Sequence, residues 1–167
     1  MPKGANIILS ETHSYNSKNG RNITKTKQLF FYRQSDGNPE GILPVLQVFM
    51  KWIREGKLRN NIGQCAGWLT ILGAIEYNNI PKYLYFKDRL GSVELNTILM
   101  PKIWKCGGFE PTTGLHGDIE YLYEIDINNL ELTVKKVSYT SDGQQIFEKY
   151  DKDVNSAFSL RKNKKLV

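Results

Sequence analysis

Residues 5–9 (Ala-Asn-Ile-Ile-Leu) and 28–34 (Gln-Leu-Phe-Phe-Tyr-Arg-Gln) are short apolar runs rich in β-forming residues. The polar stretch between them contains Asn19-Gly20, the dipeptide favoured in type I′ hairpin turns. The pattern predicts two strands joined by a long exposed hairpin arm or loop over about residues 10–27. From 42 to 55 the period changes: Ile42, Leu46, Phe49 and Ile53 fall at helical spacing, Pro44 is tolerable only in the first turn, and Gly56 is a natural stop. A second helix is predicted over about 62–77, with Asn60 or Asn61 as its cap and Ile62, Cys65, Ala66, Leu69, Leu72 and Ile75 as its apolar stripe. The short link makes the two an antiparallel pair.

Residues 83–86 fit either a strand or a packed turn, and 92–104 either a short helix or an irregular segment broken by Pro101; Gly107-Gly108 and Pro111 mark a loop. Beyond them, 119–127 alternates Ile119, Tyr121, Tyr123, Ile125 and Ile127 with Glu120, Leu122, Glu124 and Asp126, the pattern of a half-buried strand. A two-residue turn at Asn128-Asn129 would pair Ile125 with Leu132 and Tyr123 with Val134 on one face. Ser141-Asp142-Gly143 is a further turn, followed by a short strand at 144–148. The elements predict one α+β domain over residues 1–150, a mostly antiparallel sheet packed on one face by an antiparallel helix pair, with a basic, frayed tail at 151–167. Sheet edges at 5–9 or 144–148 offer pairing sites for a second copy, so a homo-oligomer is expected as an option.

With 167 residues, 40% hydrophobic and 24% charged, the composition excludes collagen-like, coiled-coil and fully disordered classes. No apolar run approaches the roughly 18–20 residues that span a bilayer, and the N-terminal apolar run is too short for a secretion signal, so no membrane partner and a cytoplasmic location are expected. Cys65 and Cys106 lack a Cys-x-x-Cys pair or an attendant His, which fits buried thiols in a reducing compartment. The net charge is +6. The tail residues Arg161, Lys162, Lys164 and Lys165 supply four of these charges and the stretch 11–27 three more, leaving −1 for everything else. Charge concentrated in a polar arm and a terminus gives only a weak nucleic-acid signal, because a duplex-binding domain ordinarily spreads cations over a folded face.

Two segments can carry chemistry. In Tyr32-Arg33-Gln34-Ser35-Asp36-Gly37-Asn38-Pro39-Glu40-Gly41, the glycines Gly37 and Gly41 permit turning and close approach of a ligand, Asp36 and Glu40 supply acceptors, and Arg33 can clamp a phosphate or carboxylate. The following helix start adds anion-favouring amides; ordinary turn chemistry, with Arg33 paired to Asp36 or Glu40, explains the same residues. In the second segment, entering the strand at 119, His116, Asp118 and Glu120 share one face if extension begins by 116, and could serve as metal ligands or acid/base groups. Three ligands strung along one strand span too far for one ion unless the Gly117 region bends, and the bland reading is a polar edge with Asp118 capping a turn and His116 hydrogen-bonded in its loop. Trp104, beside Lys105 and before Gly107-Gly108, is the best candidate for stacking on a base or closing a pocket. No Walker loop, nucleophile elbow or catalytic cysteine signature is present, and no cofactor is expected.

The first segment resembles the Tyr-Arg-His-Trp-Asp-Gly-Tyr-Pro-Glu-Gly block of a family of small, mostly uncharacterised phage and prophage proteins, and 116–126 (His-Gly-Asp-Ile-Glu-Tyr-Leu-Tyr-Glu-Ile-Asp) is similar to that family's second block. Gln34, Ser35 and Asn38 stand where the family tends to have His, Trp and Tyr. The resemblance implies a mobile-element origin and an α+β fold. Together with the scarcity of catalytic groups, it leads to the expectation of a phage-type accessory protein that blocks host defence by binding, either capturing a nucleotide-like anion or blocking a host defence protein. Tyr32, Arg33, Asp36, Gly37, Glu40, Gly41, Trp104, His116, Asp118 and Tyr121 are its candidate ligand residues. The alternatives are a metal-dependent phosphoester hydrolase using His116, Asp118 and Glu120, and a nucleic-acid or protein binder using the basic arm and tail.

Overall fold

The computed structural model describes residues 4–77 and 108–150; the readings of 81–106, Trp104 and Cys106 included, and of the tail lie outside them. The described chain forms β1 (Gly4–Asn16), β2 (Asn22–Arg33), α1 (Pro39–Arg54), α2 (Ile62–Tyr77), β3 (Glu110–Thr112), β4 (Ile119–Asp126), β5 (Glu131–Tyr139) and β6 (Gln145–Lys149). The strands make one sheet in the order β3-β2-β1-β4-β5-β6. Neighbours run antiparallel except β1 and β4, which are parallel. Both helices pack on this sheet, giving the expected α+β architecture.

β1 is central because its apolar run serves both faces. Ala5, Ile7 and Leu9 lie under the helices, while Ile8 belongs to a smaller cluster on the opposite face with Tyr32, Ile119, Leu122 and Val137. A strand buried on both sides reads as a continuous run rather than an alternation. Residues 5–9 are therefore not an edge: β2 pairs them on one side and β4 on the other. The edge expected near 144–148 does exist as β6.

The helical stripe of α1 buries Ile42, Val45, Leu46, Phe49, Met50 and Ile53. The helix begins three residues before the apolar periodicity, since Pro39 is pre-set for a first helical position and the Asn38 carbonyl accepts from Gly41 and Ile42 N–H. Pro44 consequently sits inside the helix and not in its first turn. α2 has the predicted bounds; Asn61 Oδ1 accepts from Gln64 N–H at 3.2 Å to cap its start. Trp52 of α1 meets Trp68 of α2 edge-on, with centroids 6.4 Å apart.

Tyr123 pairs with Val134 and Ile125 with Leu132, the register expected for the β4–β5 hairpin. Its loop is longer than expected: residues 127–130 lie between the strands, Leu130 adopts φ 53°, and the Asp126 carboxylate accepts from Asn128 and Asn129 N–H. Both loop lengths close the same register, so the pairing survives the change of turn. The turns Ser17–Arg21 and Thr140–Gln144 share one design. In each, the hydroxyl residue accepts at its carbonyl from the glycine N–H three positions on, and at its side-chain oxygen from the N–H four positions on. Only the glycines, Gly20 and Gly143, take positive φ there, giving a type I turn closed by a left-handed residue in place of the expected type I′ turn at Asn19-Gly20.

β1 pairs with β4 only as far as Ser10, and β2 with β3 only over Phe30–Tyr32. Beyond these points β1 and β2 continue, paired to each other through Asn16 and Asn22. The polar arm is thus a two-stranded ribbon projecting from the sheet.

One glycine contact ties the second helix to the chain entering β3. A Cβ on Gly73 would lie 2.4 Å from a ring carbon and 2.8 Å from the backbone nitrogen of Phe109, whereas one on Gly67 meets nothing within 4 Å. Gly73→Ala is expected to destabilise by about 1–3 kcal/mol through overpacking, and Gly67→Ala to stabilise by roughly 0.5–1 kcal/mol through helix propensity. Urea unfolding of the two variants checks the opposite signs.

Candidate functional site

The two motif segments meet at one end of the sheet. On the face opposite the helices, the Tyr32 ring stacks on His116 at 3.7 Å with an interplanar angle of 6°, and its hydroxyl donates to Asp118 Oδ2 at 2.9 Å. The loop that carries His116 is held from four sides. Asn6 Oδ1 accepts from His116 N–H at 2.8 Å, Gln145 Nε2 donates to the His116 carbonyl at 2.7 Å, and His116 Nε2 lies 3.1 Å from Thr112 Oγ1. Asn6 is fully buried, and its Nδ2 donates to the Phe31 carbonyl at 2.8 Å, so one amide fastens β2 to the loop. Burial, reinforced by the hydrogen bond and charge of Asp118 and then the charge of Glu110, pushes the Tyr32 phenol up to about 12. The phenol is therefore a permanent donor at neutral pH. Strand β4 begins only at Ile119, so His116, Asp118 and Glu120 do not form the straight one-faced row expected of an extended segment; residues 117 and 118 are a turn.

Arg33 goes the other way. Adjacent strand residues point to opposite faces, and the Arg33 side chain runs beneath the helices, where it is 2% exposed. Its Nη1 lies 2.8 Å from Glu76 Oε2 of α2, its Nε donates to the Ser35 carbonyl at 3.0 Å, and its guanidinium covers the Phe109 ring at 5.1 Å. The Glu76 contact is Coulombic more than directional, since neither Nη1 nor Oε2 has a hydrogen-bond partner. The expected partner, Asp36 or Glu40, is replaced by Glu76. A single cavity combining Arg33 with His116 and Asp118 is not formed, because the sheet separates them.

The remaining candidates hold the loop itself. Asp36, not Gly37, adopts positive φ, at 55°, and is exposed. The Gly37 carbonyl accepts from the buried Tyr123 hydroxyl at 2.7 Å. Burial, then the nearby Tyr121, Tyr150 and Glu40, raise the Tyr123 phenol, against a lowering by Arg33. Gly41 is required by close approach: a Cβ there would lie 2.8 Å from the Asp36 carbonyl oxygen. Glu40 is exposed and its Oε2 accepts from Asn38 Nδ2. Tyr121 lies on the helix side, its ring tilted against Tyr123 and edge-on to Tyr150.

This end of the sheet offers hydrogen bonding and stacking, with its polar groups turned toward one another. Among the described residues no three His, Cys, Asp or Glu side chains come together as a metal-binding group, which counts against the His116, Asp118 and Glu120 ligand set. Cys65 is buried, and that burial raises its thiol, with a lowering from the Asn61 backbone and a further rise from Glu11, so it is no activated nucleophile. Sequence reasoning missed Asn6, Thr112, Gln145 and Glu76. Asn6 alone carried a signal, a single amide inside an apolar strand.

The arm is the opposite case. Lys18, Arg21, Lys25 and Lys27 are exposed, no acidic residue occurs from 12 to 27, and Glu11 at its root is 3% exposed. Glu11 turns inward, accepting from Ile62 N–H at the start of α2 and contacting His13 Nε2 at 3.2 Å. Among the described residues none of the four arm cations has a carboxylate partner. No family model matches the chain, and no curated protein and no solved structure matches it. Among the described residues no helix is long and apolar enough to cross a membrane.

Asn6→Ala strands the His116 N–H and the Phe31 carbonyl, and is expected to cost about 1–3 kcal/mol in urea unfolding. Glu76→Ala leaves the Arg33 guanidinium buried without its counter-charge and is expected to cost about 3 kcal/mol, more than Arg33→Met, which removes the charge itself. Because the Tyr32 phenol is raised above its unfolded value near 10, its contribution is complete below pH 10 and is lost as pH rises toward about 12. Stability measured from pH 9 to 12 should fall less steeply in Tyr32→Phe than in the parent chain.

Proposed function

We propose that this chain is a phage-type accessory protein, acting in the host cytoplasm against host defence by binding and not by catalysis, and that it grips an anionic partner with the β1–β2 arm. The observation that carries this reading is the concentration of four exposed, unneutralised cations on a paired ribbon that stands clear of the sheet. An array of this kind raises the local concentration of an acidic partner and fixes its orientation. The version in which Arg33 clamps a nucleotide loses its support, since that guanidinium is buried against Glu76 and Phe109. The motif residues lie at the opposite end of β1 and β2 from the arm, where their polar groups tie the sheet to its own loop.

Calorimetry with heparin tests the reading on the full chain. The variant K18A/R21A/K25A/K27A should bind at least tenfold more weakly than the parent at low salt, and replacement of Arg161, Lys162, Lys164 and Lys165 by Ala should have the smaller effect. Equal affinity of the arm variant and the parent overturns the reading. In a phosphodiester assay with divalent cations the chain should show no turnover; turnover abolished by Asp118→Asn would return the hydrolase alternative.

A further inference from the structure

Resting on the arm's role as an anion grip, we propose that its partner is duplex nucleic acid and that the ribbon enters the major groove. The two faces of the ribbon differ in chemistry. On one, cross-strand neighbours are short hydroxyl residues: Thr12 and Thr26 approach to 3.2 Å, and Ser14 and Thr24 to 3.1 Å. On the other, Lys25 stands opposite His13 and Lys27 opposite Glu11. The tip turn adds Lys18 and Arg21.

Dimensions favour a groove. Paired strands lie about 4.8 Å apart, so with side chains the ribbon is roughly 10 Å across, and five residues beyond the sheet extend it by about 17 Å. The major groove, about 12 Å wide, admits a two-stranded ribbon. Seated there, the uncharged hydroxyls face base edges, where each can donate or accept, and the cations reach phosphates on the flanking strands. Because hydroxyls fit every base pair in some orientation, discrimination among sequences is weak. A single-strand binder needs successive aromatic platforms. The arm has a single tyrosine and no phenylalanine or tryptophan; the Lys25 ammonium lies over the Tyr15 ring at 5.7 Å, and the other ring, His13, contacts the Glu11 carboxylate.

Fluorescence anisotropy on the full chain tests the proposal with three probes: a 20-base-pair mixed-sequence duplex, one of its single strands, and heparin. The duplex should bind at least tenfold more tightly than either competitor at equal salt. The slope of log affinity against log salt should be steeper by about 3 to 4 than in K18A/R21A/K25A/K27A. In T12V/S14V/T24V/T26V, which keeps strand-favouring residues, the duplex preference should vanish while heparin affinity is retained. Equal affinity for duplex and single strand, or a hydroxyl variant that keeps its duplex preference, overturns the groove proposal and leaves the anion grip standing. Unchanged binding of all three probes by the cation variant overturns both.

Discussion

The amide of Asn6 is the constraint on which the motif end depends. It is fully buried in the central strand, where an unpaired amide would be costly, and it escapes that cost by bonding on both sides, to the Phe31 carbonyl and to His116 N–H. Those bonds fix where the 113–118 loop lies relative to β2. The Tyr32–His116 stack and the Tyr32–Asp118 hydrogen bond follow from that placement. Apolar packing alone would hold β1 against its neighbours without specifying how the loop sits on them. A fully satisfied buried polar group does specify it, because every displaced arrangement leaves a donor or acceptor unpaired.

Strand geometry then divides the work of neighbouring residues. Tyr32 and Arg33 are consecutive, yet one helps hold the loop on the open side and the other forms a buried ion pair beneath α2. The first motif therefore binds the molecule together through both faces: Tyr32 reaches Asp118 across one, and Gly37 accepts from Tyr123 across the other. Such a block reads, as a string of letters, like a ligand loop rich in glycine and charge. Its residues are equally those needed where a strand turns sharply into a helix and must satisfy its backbone in a confined space.

Much of the fold was legible because it rests on local periodicity. The bounds of α2, the β4–β5 register and the position of β6 all follow from apolar spacing and turn residues. What was hidden depends on contacts distant in sequence. That β1 would pair in parallel with β4, and so lose its edge, is decided by which surfaces bury best together, and no spacing within residues 5–9 reports it. The choice of Glu76 over Asp36 or Glu40 as the partner of Arg33 is set by helix packing. The turn types were misjudged at the arm tip and at 127–130 because Asn-Gly and Asn-Asn are compatible with several loops, among which hydroxyl and carboxylate side chains decide by bonding the backbone.

The contrast between the two ends of β1 bears on function. Where β1 is buried, its polar partners are neighbours in the same molecule, and an incoming ligand would have to break hydrogen bonds already made before forming its own. Beyond Ser10 the same strand leaves β4, its side chains become exposed, and the cations meet no opposing carboxylate among the described residues. Glu11 marks the boundary: the last acid before the arm is turned inward to the start of α2, which leaves the outer ribbon electrostatically one-sided. Repulsion among those cations favours no contact within the fold, and an external anion relieves it without disturbing the core. On the proposed reading, binding energy is gathered at the arm while the hydrogen-bonded motif end, at the other end of β1, remains unchanged.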